Sequence, residues 1–269
     1  MVDSLRSAAV AVSVLIAIAA GAWGSGRWGG TPVEELADGA LASDATLLAP
    51  ASTAFAIWGL IYAGLVAYAV FHAWSGHAAS PRMRATGWLV AGGSTLSAAW
   101  IALTQAELLW LGNLAIAGIV ALLAWAGRRL ALDPPRTWPS RLAVDVPVGL
   151  FLGWVCVALV AGITAAGAAS IPGHEPGDGP AIAAIVLAAV AVLAVLLPRW
   201  LKGSPQVGIA AGLALSWGLW WIAQGRLQGE PASTLVGWFA GLAAAVAFGA
   251  PFAIRDISMI GKDDPLAPR

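Results

Sequence analysis

Apolar residues run along this chain in long blocks separated by short polar or Pro/Gly-rich breaks. Blocks of that length predict membrane-crossing helices, because a hydrocarbon core of about 30 Å takes roughly 20 helical residues. Eight blocks qualify: residues 7–23, 51–74, 87–105, 108–126, 142–167, 180–197, 207–224 and 234–254. The breaks at 75–84, 128–141, 171–179, 198–206 and 225–233 hold the charged and turn-forming residues. Gln105–Ala106–Glu107 is the shortest break, and it predicts a tight turn between two spans rather than one long helix. The first block resembles a secretory signal in ending on small residues. Its apolar run exceeds a typical signal core, so it is read as a retained span.

Charge placement supports the eight-span reading. With the N-terminus cytoplasmic, the inner segments hold Arg6; Arg82 and Arg84; Arg128, Arg129, Arg136 and Arg141; Arg199 and Lys202; and Arg255, Lys262 and Arg269. Only Arg27 and Arg226 fall outside, the bias expected when basic loops stay in the cytoplasm. The outer segments are acidic instead, with Glu34, Glu35, Asp38, Asp44, Glu107, Glu175, Asp178 and Glu230. The pattern predicts a multi-pass protein of the cell (plasma or inner) membrane with both ends cytoplasmic. Residues 27–50 form the longest loop, placed where it could fold over a cavity mouth.

Composition narrows the function. Charged residues make up 10% of 269, hydrophobic residues 59%, and mean hydropathy is +0.81, which excludes an ordinary soluble domain. Fourteen basic residues balance fourteen acidic ones, so nothing suggests a nucleic-acid partner. A single cysteine, Cys156, and three scattered histidines, His72, His77 and His174, argue against disulfides and a metal centre.

The tryptophans carry more information. Of fifteen, Trp23, Trp74, Trp88, Trp110, Trp125, Trp200 and Trp238 sit near span ends, as an interfacial belt would, and Trp28 and Trp138 lie in loops. Trp58, Trp100, Trp154, Trp217, Trp220 and Trp221 lie deeper, where an indole N–H finds no water and tends to face protein or a cavity. Phe55, Trp58 and Tyr62 share one helix face, and so do Trp217, Trp220, Trp221 and Gln224. Bundle packing is the favoured reading for the second stripe and a ligand face for the first.

Residues 50–71, PASTAFAIWGLIYAGLVAYAVF, resemble the second helix of the TspO/MBR family of tryptophan-rich sensory or translocator proteins, through Pro50, Phe55, Trp58, Leu60, Ile61 and Tyr62. Pro147, Trp154, Val155 and Ala158 are similar to that family's fifth helix, Trp100 to its third, and Trp125 to the end of its fourth. The chain departs from the pattern in several places. Residues 28–50 lack the family's W-Y-x-x-L-x-K-P segment, and Ser97 and Gly162 stand where asparagines are expected. The similarity covers roughly residues 5–168 and looks closest to the long bacterial branch with extra C-terminal helices.

The resemblance implies an all-α polytopic bundle: a five-helix TspO-like unit at 1–170, three more helices at 171–254 and a cytoplasmic tail at 255–269. It also implies a pocket opening outward, lined by Phe55, Trp58, Tyr62, Trp100 and Trp154, for a porphyrin, sterol or isoprenoid-like ligand, in a chain that often dimerises. Asn113 is either a polar contact in that pocket or an interhelical hydrogen bond. The expected function is binding of such a hydrophobic ligand in the lipid bilayer, with a sensory, regulatory or trafficking role and no cofactor required beyond a possible porphyrin. The alternative is a passive or facilitated transporter of small hydrophobic molecules; a third is a structural subunit. Few ionisable residues fall inside the spans, which disfavours ion-coupled transport. No phosphate loop, zinc motif, nucleophile elbow or carboxylate pair is present, so the chain reads as no enzyme. The pairs Gly149/Gly153, Gly208/Gly212 and Gly237/Gly241 predict close internal helix contacts.

Overall fold

In a computed structural model, residues 2–74 and 77–260 are described, with side chains through residue 254. Eight long helices account for most of the chain: α1 (Val2–Gly24), α2 (Ile57–Ala73), α3 (Pro81–Gln105), α4 (Leu109–Leu132), α5 (Val146–Ala169), α6 (Pro180–Trp200), α7 (Pro205–Gln228) and α8 (Thr234–Ile260). Among the described residues there is no strand. The protein is an all-helical polytopic membrane bundle. Seven of the eight helices are long and apolar enough to cross a membrane on that criterion alone. The other, α3, is diluted by Gly92, Gly93, Ser94, Thr95 and Ser97, yet it is as long as its neighbours and packs between α1 and α4.

Local chemistry sets the helix ends. Ser80 caps α3 by accepting from the Met83 amide at 3.3 Å, and Pro81 fills its first turn. Pro180 and Pro205 open α6 and α7 in the same way. The turn between α3 and α4 is as short as expected: Glu107 adopts a left-handed φ of 58° and its amide bonds the Thr104 carbonyl. Before α5 the chain makes a short turn at Trp138–Ser140 and a π-helical stretch at Arg141–Asp145. Pro147 explains the widening, since it donates no hydrogen bond and its ring crowds the preceding turn.

Helices α5 and α7 form the centre. Gly149 and Gly153 let their backbones touch: a Cβ on either would collide with the carbonyl of Val207 or Ala211. Gly212 packs as closely against Ala247 and Pro251 of α8. Helices α1 to α4 join one side of this frame, and α6 and α8 the other. Val236, Ala240, Ala243, Ala244 and Ala247 recur at helical spacing along α8 and make its buried face.

The end carrying the N-terminus holds buried ionic groups that the span-by-span reading undercounts. Asp145 is fully buried and takes a 2.5 Å contact from the Arg82 guanidinium, which also donates to the carbonyls of Leu130 and Asp133. Arg6, also buried, reaches Asp3, the Ala78 carbonyl and Nε2 of buried His72. These groups bond one another, so they tie α1, α2, α3 and α5 together without crossing the membrane interior.

Candidate ligand-binding site

Trp58 is the hub of the aromatic cluster. Its ring stacks on Tyr62 (centroids 5.3 Å apart, planes at 26°) and on Trp100 (6.2 Å, 17°). It meets Phe151 and Trp154 edge-on at 5.8 and 6.3 Å, and Phe55 packs edge-on against Trp154 at 5.8 Å. Such offset and T-shaped contacts suit the ring quadrupoles and hold each indole in one orientation. The helix-face spacing turns Phe55 and Trp58 toward α3 and α5 and Tyr62 toward Gly21 of α1, although Phe55 belongs to the 3₁₀ turn Ser52–Ala56 that leads into α2.

Two chambers adjoin this cluster. The large one holds about 550 Å³ open to water-sized molecules, between α1, α2 and α3. Gly21, Gly59, Tyr62 and Ile101 line it, and Arg27 and Glu34 stand at its rim. The narrow one offers only about 60 Å³. It lies against α4 and α5, with Asn113, Ile116, Trp154 and Gly162 in its walls. Phe55, Trp58, Trp100 and Val33 border both chambers and so form the partition.

All six residues singled out from the sequence meet here: Phe55, Trp58 and Trp100 in the partition, Tyr62 in the large chamber, Asn113 and Trp154 in the narrow one. Tyr62 is half-buried, lines the large chamber and makes no hydrogen bond through its hydroxyl among the described residues. The Trp154 N–H also lacks a partner, but it is sealed from solvent, so a ligand reaches it only if the narrow chamber widens. Asn113 donates to the Gly162 carbonyl at 2.8 Å, which makes the interhelical bond real. A Cβ at 162 would fall on its amide oxygen, so the amide comes from α4 into the space beside Gly162 on α5.

The loop between α1 and the 3₁₀ turn roofs the narrow chamber through Ala40, Leu41, Ala42, Ala49 and Pro50. Sequence reasoning anticipated a loop over a cavity but not what fastens it. Gln105 pairs with the Thr31 backbone, donating to its carbonyl at 2.6 Å and accepting from its amide at 3.3 Å. On the other side, Arg226 is no loop residue: α7 continues to Gln228, and its guanidinium lies buried against the roof.

The α7 stripe meets its expected packing role only in part. Trp217 and Trp220 are 37% and 50% exposed, while Gly218, Leu219, Ile222 and Ala223 are buried. Small residues face the frame and Trp220 turns outward, while Trp221 packs against the core as expected, with Trp217 edge-on to it at 5.6 Å. Trp217 still donates to the Ala54 carbonyl at 2.8 Å. The seven belt tryptophans are all exposed.

A family model described as TSPO-like protein matches residues 7–253. The chain belongs to that family. The match runs through the last three helices as well as the first five, further than the motif resemblance alone. No curated protein and no solved structure matches the chain.

Proposed function

We propose that this TSPO-like membrane protein binds a flat, largely hydrophobic ligand against the Trp58 cluster, a tetrapyrrole or a sterol- or isoprenoid-like molecule, in a sensory, regulatory or trafficking role. The observation that carries the reading is the near-parallel set of Tyr62, Trp58 and Trp100 rings beside a chamber of about 550 Å³. That size lies within the range of small-molecule sites. A planar ring system stacks on exposed indole and phenol faces. A polar substituent has the Tyr62 hydroxyl and the Arg27 guanidinium within the same lining. Such a site binds rather than catalyses: it offers ring faces and a hydroxyl but no nucleophile paired with a base. Most basic residues, among them Arg6, Arg82, Arg84, Arg128, Arg129 and Arg141, lie away from the roof, which supports a reading with the roof outward and the start of α1 on the cytoplasmic side.

Tryptophan fluorescence of the protein in nanodiscs, titrated with protoporphyrin IX, heme and a sterol, tests this. Saturable quenching in the micromolar range that weakens in Trp58→Phe and Trp154→Phe is the expected result. Quenching that grows linearly, or is indifferent to both substitutions, means partition into lipid and overturns the assignment.

A further inference from the structure

Arg226 is 2% exposed, and its guanidinium donates to three backbone carbonyls: Thr46 at 2.9 Å, Ser43 at 2.7 Å and Glu230 at 2.9 Å. No carboxylate lies within ion-pair distance of it among the described residues, and its Nε atom has no partner. A buried cation whose direct partners are all carbonyl dipoles, with the Asp44 and Glu230 carboxylates acting on it from farther off, strongly favours the arrangement that supplies those dipoles. Two of the three come from the roof. The roof is also joined to α7 by the Ala51 amide on the Trp221 carbonyl, at 3.2 Å, and by the Trp217–Ala54 bond.

Behind the same strip of chain lies a separate cavity of about 390 Å³, bordered by Thr46, Leu47 and Leu48 on one side and by α5 and α6 on the other. The roof therefore has the narrow chamber on one face and that cavity on the other, and its outward swing has to draw Leu47 and Leu48 from the apolar cluster they share with α5, α6 and α7. Arg226 stands two residues from the end of α7, so release of the roof exposes the guanidinium to water rather than to hydrocarbon. The open state is thereby hydrated instead of leaving a bare charge.

We propose that Arg226 is a positioning residue for the ligand site: from α7, beyond the first five helices, it latches the roof over the narrow chamber and sets how fast a ligand passes the Phe55–Trp58–Trp100 partition that this chamber shares with the large one. The inference rests on reading the chambers as the ligand site. Hydrogen exchange of the full-length protein in nanodiscs, followed by mass spectrometry, reads the roof directly. Stopped-flow quenching by protoporphyrin IX reads access. In Arg226→Gln, amides of residues 37–49 exchange at least about tenfold faster, as loss of charge-assisted bonds implies, while α3 and α5 are unchanged. Association and dissociation rates for the porphyrin rise together, so the equilibrium constant moves much less than either rate. Arg226→Lys, which keeps the charge and some donors, falls between.

Unchanged exchange in the roof overturns the latch. So does equal loosening of every helix in both variants, which would make Arg226 a general fold anchor, or a loosened roof with unaltered porphyrin rates. If the wild-type protein shows no saturable quenching, the ligand reading fails instead, and the latch stands or falls on the exchange of residues 37–49 alone.

Discussion

Along the seam between α5 and α7, Gly149 and Gly153 bring one backbone against the carbonyls of the other, and no side chain intervenes. At the corner formed by α1, α2 and α3, Gly21 and Gly24 lie under the side chains of Tyr62 and Ile101, but Gly59 has nothing within 4 Å of where a Cβ would stand. The first interface is closed by dispersion contacts between backbones, the route open to helices in lipid where burial from water gives no drive. The second is propped by indole and phenol rings that stack on one another and leave a chamber beside them. Glycine in a membrane helix thus marks close approach in one place and open space in another. What distinguishes them is whether the facing helix offers bare backbone and small residues, as the Val207 carbonyl, Ala210 and Ala211 do, or a stack of rings.

The largest effect expected from breaking the closed part lies at the buried ion pair. Arg82→Ala leaves the Asp145 carboxylate buried without its cation and costs about 3–5 kcal/mol. The loss is read as a lowered unfolding midpoint in detergent. The double variant Arg82→Ala/Asp145→Ala recovers part of it, since no unpaired charge remains. A double variant as unstable as the single one would show that the pair acts through packing alone.

Next comes the seam itself. Gly153→Val places side-chain atoms on the Ala211 carbonyl, and overpacking of this kind costs about 1–3 kcal/mol or more as the helices separate. The same measurement on Gly59→Val should show almost no loss. Equal destabilisation at both positions would erase the distinction between closed seam and open corner.

Much of this was legible in sequence. The eight helices follow from block length, and the Gln105–Glu107 turn follows from its polar residues within an apolar stretch. The Phe55–Trp58–Tyr62 face follows from spacing, because α2 is regular from Ile57 onward and stacks Trp58 on Tyr62. Rotation of a helix about its axis is less visible when all sides are apolar. Hence the depth of Trp220 could be read, but not that it turns outward. Arg226 shows a different limit. A basic residue just past an apolar block reads as loop, and the carbonyls that solvate it belong to residues 43 and 46, some 180 positions away. Asp145 was hidden in the same manner, since its partner Arg82 sits on another helix.

A smaller effect is expected where the two regions meet, at Asn113. Asn113→Leu removes the bond to the Gly162 carbonyl, and interhelical hydrogen bonds in bilayers contribute about 0.6–2 kcal/mol. If the amide also serves the narrow chamber, ligand affinity falls by more than the change in unfolding midpoint predicts. A loss of stability with affinity intact would make Asn113 a packing group only.

The smallest change, and the only one of opposite sign, is Gly59→Ala. Position 59 lies inside α2, outside the left-handed region of φ, and a methyl group there meets open space at the wall of the large chamber. Alanine lowers the backbone entropy of the unfolded chain and favours helix, so stability rises by about 0.4–1 kcal/mol. The methyl group occupies only a small part of the chamber, so binding of a flat ligand should weaken by less than about threefold, equivalent to well under 1 kcal/mol. A fall in stability would mean that α1 closes on α2 in the membrane and that the chamber is not held open. The contrast with Gly153 would then lie in how far each interface can relax, not in how much space it contains.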